Sequence, residues 1–215
     1  MLDVTSANPA TMFASILIFL IIIGFVISMH EAAHAFAANR LGDPTARLLG
    51  RMSLNPASHI DPIGTILLPL ILLIMHAPVF GWAKPTPINP FNFQYPRRDT
   101  AIVAFAGPAS NFLLAIFLSL IFRLAPVTIA SSFLLNFIVI NLILGIFNLI
   151  PIPPLDGFKI LVGVLPKEAA AQVSLLESYG PILLLVVLLL LLPILSPIIF
   201  LVLNLLLGIL TGVTI

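Results

Sequence analysis

The chain has 215 residues, 60% of them hydrophobic and only 8% charged, and its mean hydropathy is +1.22; a soluble core of ordinary size cannot hold that much apolar surface, so the chain reads as an integral membrane protein. Its formal net charge of +1, from 9 basic and 8 acidic residues, leaves no basic field for nucleic-acid phosphates and excludes that class of partner. Cysteine is absent, which excludes disulfides, thiolate nucleophiles and thiolate metal sites together, so any metal must be held by His, Asp or Glu.

The first apolar run, Met12 to Met29, follows no Lys or Arg and leads into an ionisable cluster, so it is expected to remain as a span and not to be removed as a signal. Ala101–Phe122, Ile129–Ile150 and Pro181–Leu192 are further transmembrane candidates, since about 20 apolar residues cross the hydrocarbon core. The last run continues through Pro193 and Pro197 to Val213. It exceeds a single span, and because proline removes a helix hydrogen bond it reads as one broken helix or as two short segments.

Ile63–His76, with Pro69 in its middle, has a length that suits a re-entrant segment. With a return there, Arg40, Arg47, Arg51, Lys84, Arg97, Arg98, Lys159 and Lys167 share one face and Arg123 stands alone opposite. The positive-inside rule makes the shared face cytoplasmic and the N-terminus external. Within Arg47–Ser53 the alternation predicts a short strand ahead of the Asn55-Pro56 turn. Trp82 reads as an interface anchor. No internal repeat is visible, and the longest polar stretch, Gly81–Thr100, is too short and proline-rich for a folded domain, so residues 1–215 form one membrane domain.

The chemistry begins where the first helix stops being purely apolar, at His30-Glu31-Ala32-Ala33-His34, an H-E-x-x-H sequence. On a helix, His30 and His34 lie about 40° apart on one face and a turn apart in height, so both imidazoles can reach one zinc ion. Glu31 stands beside them, placed to move protons as the corresponding Glu does in zinc peptidases. From the 4 His and 3 Glu of this chain, chance predicts roughly 0.001 matches to the pattern. The bland alternative is a pair of packing histidines hydrogen-bonded across a bundle. Depth argues against it: Glu31 is nine residues from Arg40, about 13 Å below the helix end, where an ionisable group is costly and marks function.

A zinc hydrolase keeps three protein ligands and an open position. Asp3, Asp43, Asp61, Asp99, Glu168 and Glu177 sit in polar or terminal stretches, whereas Asp156 directly follows a long apolar span in Asn148-Leu149-Ile150-Pro151-Ile152-Pro153-Pro154-Leu155-Asp156-Gly157. Asp156 is therefore the expected third ligand, its competing role being the N-cap of a helix starting near Gly157. His59 is expected to bond to Asp61 or to loop backbone and not to the metal.

His30-Glu31-x-x-His34, Gly107-Pro108-x-x-Asn111 and Asn148-x-x-Pro151-x-Pro153-x-Leu155-Asp156-Gly157, in that order, resemble the site-2 protease family of intramembrane metalloproteases. Gly81-Trp82-Ala83-Lys84-Pro85 and Arg97-Arg98-Asp99 resemble its compact prokaryotic branch, which lacks PDZ and CBS domains. The resemblance implies a three-helix catalytic core within residues 12–163; with the re-entrant segment and the C-terminal helical segment over 179–213 read above, the expected fold is all-α and polytopic. It implies one Zn2+ on His30, His34 and Asp156, Glu31 as catalytic acid/base, and Asn148 positioning the substrate backbone or the oxyanion. Asn111 reads as an interhelical hydrogen bond beside a close Gly107 contact, or as a second group of the Asn148 kind.

The expected activity is zinc-assisted hydrolysis of peptide bonds in or near transmembrane segments of membrane proteins. A helical substrate must unwind before attack, and strand-like backbone at Leu48–Leu54 would pair with it by β-addition. Two other classes stand beside this: a zinc transporter, although Ala101–Leu149 and Pro181–Ile215 contain no acidic residue, and a catalytically silent relative that only binds membrane partners.

Overall fold

The computed structural model describes residues 9–67, 71, 75, 83–124 and 129–214. The helices that organise it are α1 (Pro9–Arg40), α2 (Thr45–Leu48), α3 (Pro96–Leu124), α4 (Ile129–Asn148), α5 (Asp156–Val164), α6 (Lys167–Ser174) and α7 (Gly180–Thr211). Four stretches within them, Ile18–Arg40, Pro96–Leu124, Ser131–Asn148 and Pro193–Thr211, are long and apolar enough to cross a membrane. Their outward faces are apolar, with Ile21, Leu113, Leu120, Leu201 and Leu205 all more than half exposed, while Ser28, His30, His34, Asn111 and Asn141 are buried. That is the distribution of a bundle solvated by lipid, where only the interior can satisfy a polar group.

Small residues set the helix spacing. Ala35 and Ala38 of α1 and Ala104 of α3 are fully buried or nearly so, which lets backbones approach where lipid offers no hydrophobic drive for association. A Cβ on Gly163 of α5 would collide with the Ala101 side chain of α3, so a short helix lies directly on a membrane-spanning one. Ala115, Leu118, Ile138, Leu142, Leu203 and Leu207 form the second packing centre, between α3, α4 and α7.

The C-terminal segment is one continuous helix with Pro193 and Pro197 inside it. Of the two forms expected from sequence, neither the break nor the pair is adopted: the helix runs through both prolines, which membrane-spanning helices tolerate. The far end of α7 is tied down by Arg123, whose guanidinium donates to Leu210 O at 2.7 Å and Ile209 O at 2.6 Å. The cation read as standing alone thus satisfies helix-end carbonyls that have no partner of their own.

Arg47–Ser53 is not a strand, and among the described residues there is none. Asp43 accepts the Thr45 N–H at 3.1 Å and the Thr45 hydroxyl, which starts the single turn of α2. Gly50 then adopts φ +68°, a left-handed conformation that glycine reaches without strain, and Arg51 N–H returns to Ala46 O at 2.8 Å. Local capping and a glycine turn outweigh an imperfect alternation. The edge expected at Leu48–Leu54 for pairing with substrate is consequently absent.

Residues 68–70, 72–74 and 76 of Ile63–His76, and Trp82, lie outside the described residues. The flanks of that segment are informative. Lys84 N–H donates to His59 O at 2.8 Å and Asn89 N–H to Asp43 at 2.7 Å, so the chain after Ala83 runs along α1 from the 56–59 turn, where Pro56 faces Gly24, to the end of the helix beyond Arg40. Asp43 is the hub of that end, buried and also bonded to the Asn92 amide at 2.7 Å. Burial pushes its carboxyl pKa up, but hydrogen bonds from Thr45, Asn89 and Asn92 outweigh it and hold the group below the usual carboxylate range.

Candidate metal centre

His30 and His34 lie one turn apart on α1, and both are 5% exposed. Their Nε2 atoms are 3.0 Å apart. Asp156 Oδ2 stands 3.0 Å from His30 Nε2 and 3.2 Å from His34 Nε2. A zinc ion bonded at about 2.0–2.1 Å in tetrahedral geometry sets its ligands roughly 3.3 Å apart, close to the triangle observed.

Asp156 arrives from the other side of the site by a fold-back that its own sequence dictates. Proline at 151, 153 and 154 ends α4, Leu155 N–H bonds to Ile152 O at 2.9 Å, and α5 begins at Asp156 itself. A Cβ on Gly157 would strike the Leu149 carbonyl and come within 2.6 Å of Ile150 O, so the close return over the end of α4 needs glycine. The N-cap role is not taken: Leu155 occupies that position without a side-chain hydrogen bond, and the Asp156 carboxylate faces the histidines.

The outer nitrogen of each imidazole fixes what the inner one can be. His34 Nδ1 lies 2.7 Å from Val103 O, a carbonyl that only accepts, so Nδ1 donates. His30 Nδ1 lies 2.6 Å from Asn111 Oδ1, while the Asn111 amide donates to Asn141 Oδ1 at 3.0 Å and Asn141 to Phe137 O at 2.8 Å. In its neutral form each ring therefore carries its lone pair on Nε2. With both rings neutral, two such nitrogens and a carboxylate oxygen converge within about 3 Å, an arrangement that a cation makes favourable. Among the described residues this is the one group of three or more His, Asp and Glu side chains able to hold a metal, and its donors are those zinc prefers.

Gly107 completes the packing. A Cβ there would overlap the His34 imidazole and approach His30 Cε1 to 2.7 Å, so glycine lets α3 lie flat against both rings. Asn111, one turn further along α3, is fully buried and bonds to His30 and Asn141; of the two roles open to it in the sequence, it occupies the interhelical one. Asn141 was not singled out from sequence, although it lies two turns before Asn148 and shares its face of α4, where a polar side chain in an apolar span carries a signal. Asn111→Leu is expected to weaken divalent-metal affinity by about 10- to 100-fold, as loss of an outer hydrogen bond to a liganding imidazole does. Competition against a chelator measures it, and unchanged affinity would reduce Asn111 to packing.

Glu31 lines a cavity of about 300 Å³ together with His30, His34, Asn148 and Asp156. Its Oε2 accepts the Thr86 N–H at 2.7 Å. Asn148 spends one amide hydrogen on Leu144 O at 3.0 Å and keeps its amide at the cavity wall. His59 is buried away from this centre with Nε2 2.8 Å from Ser53 O, a bond to loop backbone as expected.

The chain matches Peptidase family M50 over residues 123–194. It is 39% identical over 181 residues to "Putative zinc metalloprotease YwhC" of Bacillus subtilis, covering 80% of this chain and 78% of that protein. "Putative zinc metalloprotease Rip2" of Mycolicibacterium smegmatis is 30% identical over 176 residues, covering 78% of this chain and 66% of its own length. The Rip2 protein of Mycobacterium tuberculosis strain H37Rv is 29% identical over 175 residues, 78% of this chain and 66% of that protein. No solved structure matches the chain.

Proposed function

Because the chain belongs to peptidase family M50, the site-2 protease family, we propose that it is a zinc-dependent endopeptidase that cuts membrane-protein substrates within the bilayer. The observation that carries the reading is the convergence of His30 Nε2, His34 Nε2 and Asp156 Oδ2, three lone-pair donors buried beside the Glu31 carboxylate. His30, His34 and Asp156 would hold one zinc ion, which when bound supplies a Lewis acid for the scissile carbonyl and lowers the pKa of the attacking water.

The chain's own residues then divide the work. Glu31 takes the proton of the attacking water and hands it to the leaving amine nitrogen, so that the amide C–N bond breaks as the new C–O bond forms. Asn148 is placed to donate to the substrate backbone or to the carbonyl oxygen as it gains charge, a contribution of roughly 3 kcal/mol for a comparable donor. Asn111 and Val103 hold the two imidazoles in the tautomer that presents Nε2.

The substrates are single-pass membrane proteins, or membrane stubs left by an earlier cut, whose helix unwinds at the cavity. The site lies six to ten residues inside the Arg40 end of α1, about 9–15 Å deep, on the side where eight of the 9 cations gather. That side is cytoplasmic, in a cell membrane. The test is a labelled leucine-rich transmembrane peptide with a central Asn-Pro helix break, co-reconstituted with the protein in inside-out vesicles. Zinc-dependent cleavage that an impermeant chelator stops from the outside of those vesicles is the predicted result. Cleavage indifferent to chelator on either face, or none, would overturn the reading.

A further inference from the structure

Thr86 touches Glu31 twice. Its backbone N–H donates to the Glu31 carboxylate at 2.7 Å, and its hydroxyl to the Glu31 backbone carbonyl at 3.0 Å. We infer that Thr86 is the positioning residue of the catalytic acid/base: it holds Glu31 Oε2, which leaves Oε1 as the oxygen that receives and delivers the proton. This rests on the peptidase reading above.

The sequence around Thr86 is built for a fixed donor. Pro85 and Pro87 lock their own φ angles, and Pro87 also confines Thr86 to extended backbone, so little entropy remains to be lost in presenting its N–H. The strap is pinned on both sides of Thr86. Lys84 N–H bonds to His59 O at 2.8 Å, and beyond Ile88 the Asn89 N–H and the Asn92 amide bond to the two oxygens of Asp43, each at 2.7 Å. Thr86 is thus held against α1 from two directions, and its hydroxyl sets the register of the strap on the very residue whose carboxylate its N–H grips. An N–H bond to a carboxylate is among the stronger hydrogen bonds of a protein. A general base must be aimed at its proton before its basicity counts. Thr86, with Ala83, Pro85 and Ile88, also lines the cavity, so no further element stands between the strap and the reacting groups.

Thr86→Pro removes the N–H and the hydroxyl and sets a ring carbon where the N–H points at Glu31, while Thr86→Ala removes the hydroxyl and γ-methyl and keeps the N–H; their difference reports the N–H contact. Thr86→Pro, Thr86→Ala and Thr86→Ser are compared with the wild type and Glu31→Gln for zinc content, kcat and KM on the labelled leucine-rich peptide. The expected result is full zinc content throughout, a kcat about tenfold or more lower in Thr86→Pro at unchanged KM, a smaller loss in Thr86→Ala, and recovery in Thr86→Ser. Equal rates for Thr86→Pro and Thr86→Ala would overturn the assignment. So would zinc loss or a rise in KM alone, which would make the strap structural or substrate-binding, or a faster Thr86→Pro, which would make the contact inhibitory. A wild type that leaves the peptide intact would instead overturn the peptidase reading itself, and the role of Thr86 with it.

Discussion

Glu31→Gln is expected to lower turnover by about a thousandfold or more, within the range that a positioned acid/base contributes, while the protein keeps its full complement of zinc. The variant is informative because it is nearly isosteric. A Gln carbonyl oxygen can still accept the Thr86 N–H that Glu31 Oε2 now holds at 2.7 Å, so the strap, the cavity and the fold have no reason to change. What disappears is an oxygen that can carry a proton. Metal analysis beside the peptide assay separates the outcomes: zinc lost along with activity would make Glu31 a ligand, and activity retained would remove it from the chemistry.

Asp156→Ala acts on the other half of the centre. It takes away the only oxygen among three converging ligand atoms and leaves His30 Nε2 and His34 Nε2 facing each other at 3.0 Å. Outer-shell changes alone weaken metal binding about 10- to 100-fold, so loss of a direct ligand should cost about a hundredfold or more. Ligand binding to the native state stabilises it in proportion to the logarithm of occupancy. A chelator should therefore lower the Tm of the wild type and leave that of Asp156→Ala unchanged. Equal chelator shifts in the two proteins would show that Asp156 does not hold the metal.

Most of this architecture is legible in the sequence because a bilayer makes the code simple. Apolar runs of sufficient length must be helices, and the H-E-x-x-H spacing reads as one helix face without knowledge of any partner. Asp156 could be picked out because proline at 151, 153 and 154 makes an ionisable group at the end of a span expensive unless it has a job. Less legible was everything decided by contact between distant segments. The role of Asn111 depended on Asn141, 30 residues away, and that of Thr86 on Glu31, 55 residues away; neither pairing leaves a periodicity to read. The strand expected at Arg47–Ser53 failed for a local reason, since the Asp43–Thr45 capping bonds and the left-handed Gly50 compete with alternation and win. The continuity of α7 through Pro193 and Pro197 is not contained in a local rule about proline.

X-ray absorption at the zinc edge of the purified, membrane-extracted protein tests the centre most directly. It should show one zinc per chain with two imidazole nitrogens at about 2.0–2.1 Å and oxygen ligation completing a four-coordinate shell, and the imidazole contribution should vanish in His34→Ala. A protein that holds no zinc, or holds it in an all-oxygen shell that His34→Ala does not alter, would contradict a metal centre on His30, His34 and Asp156.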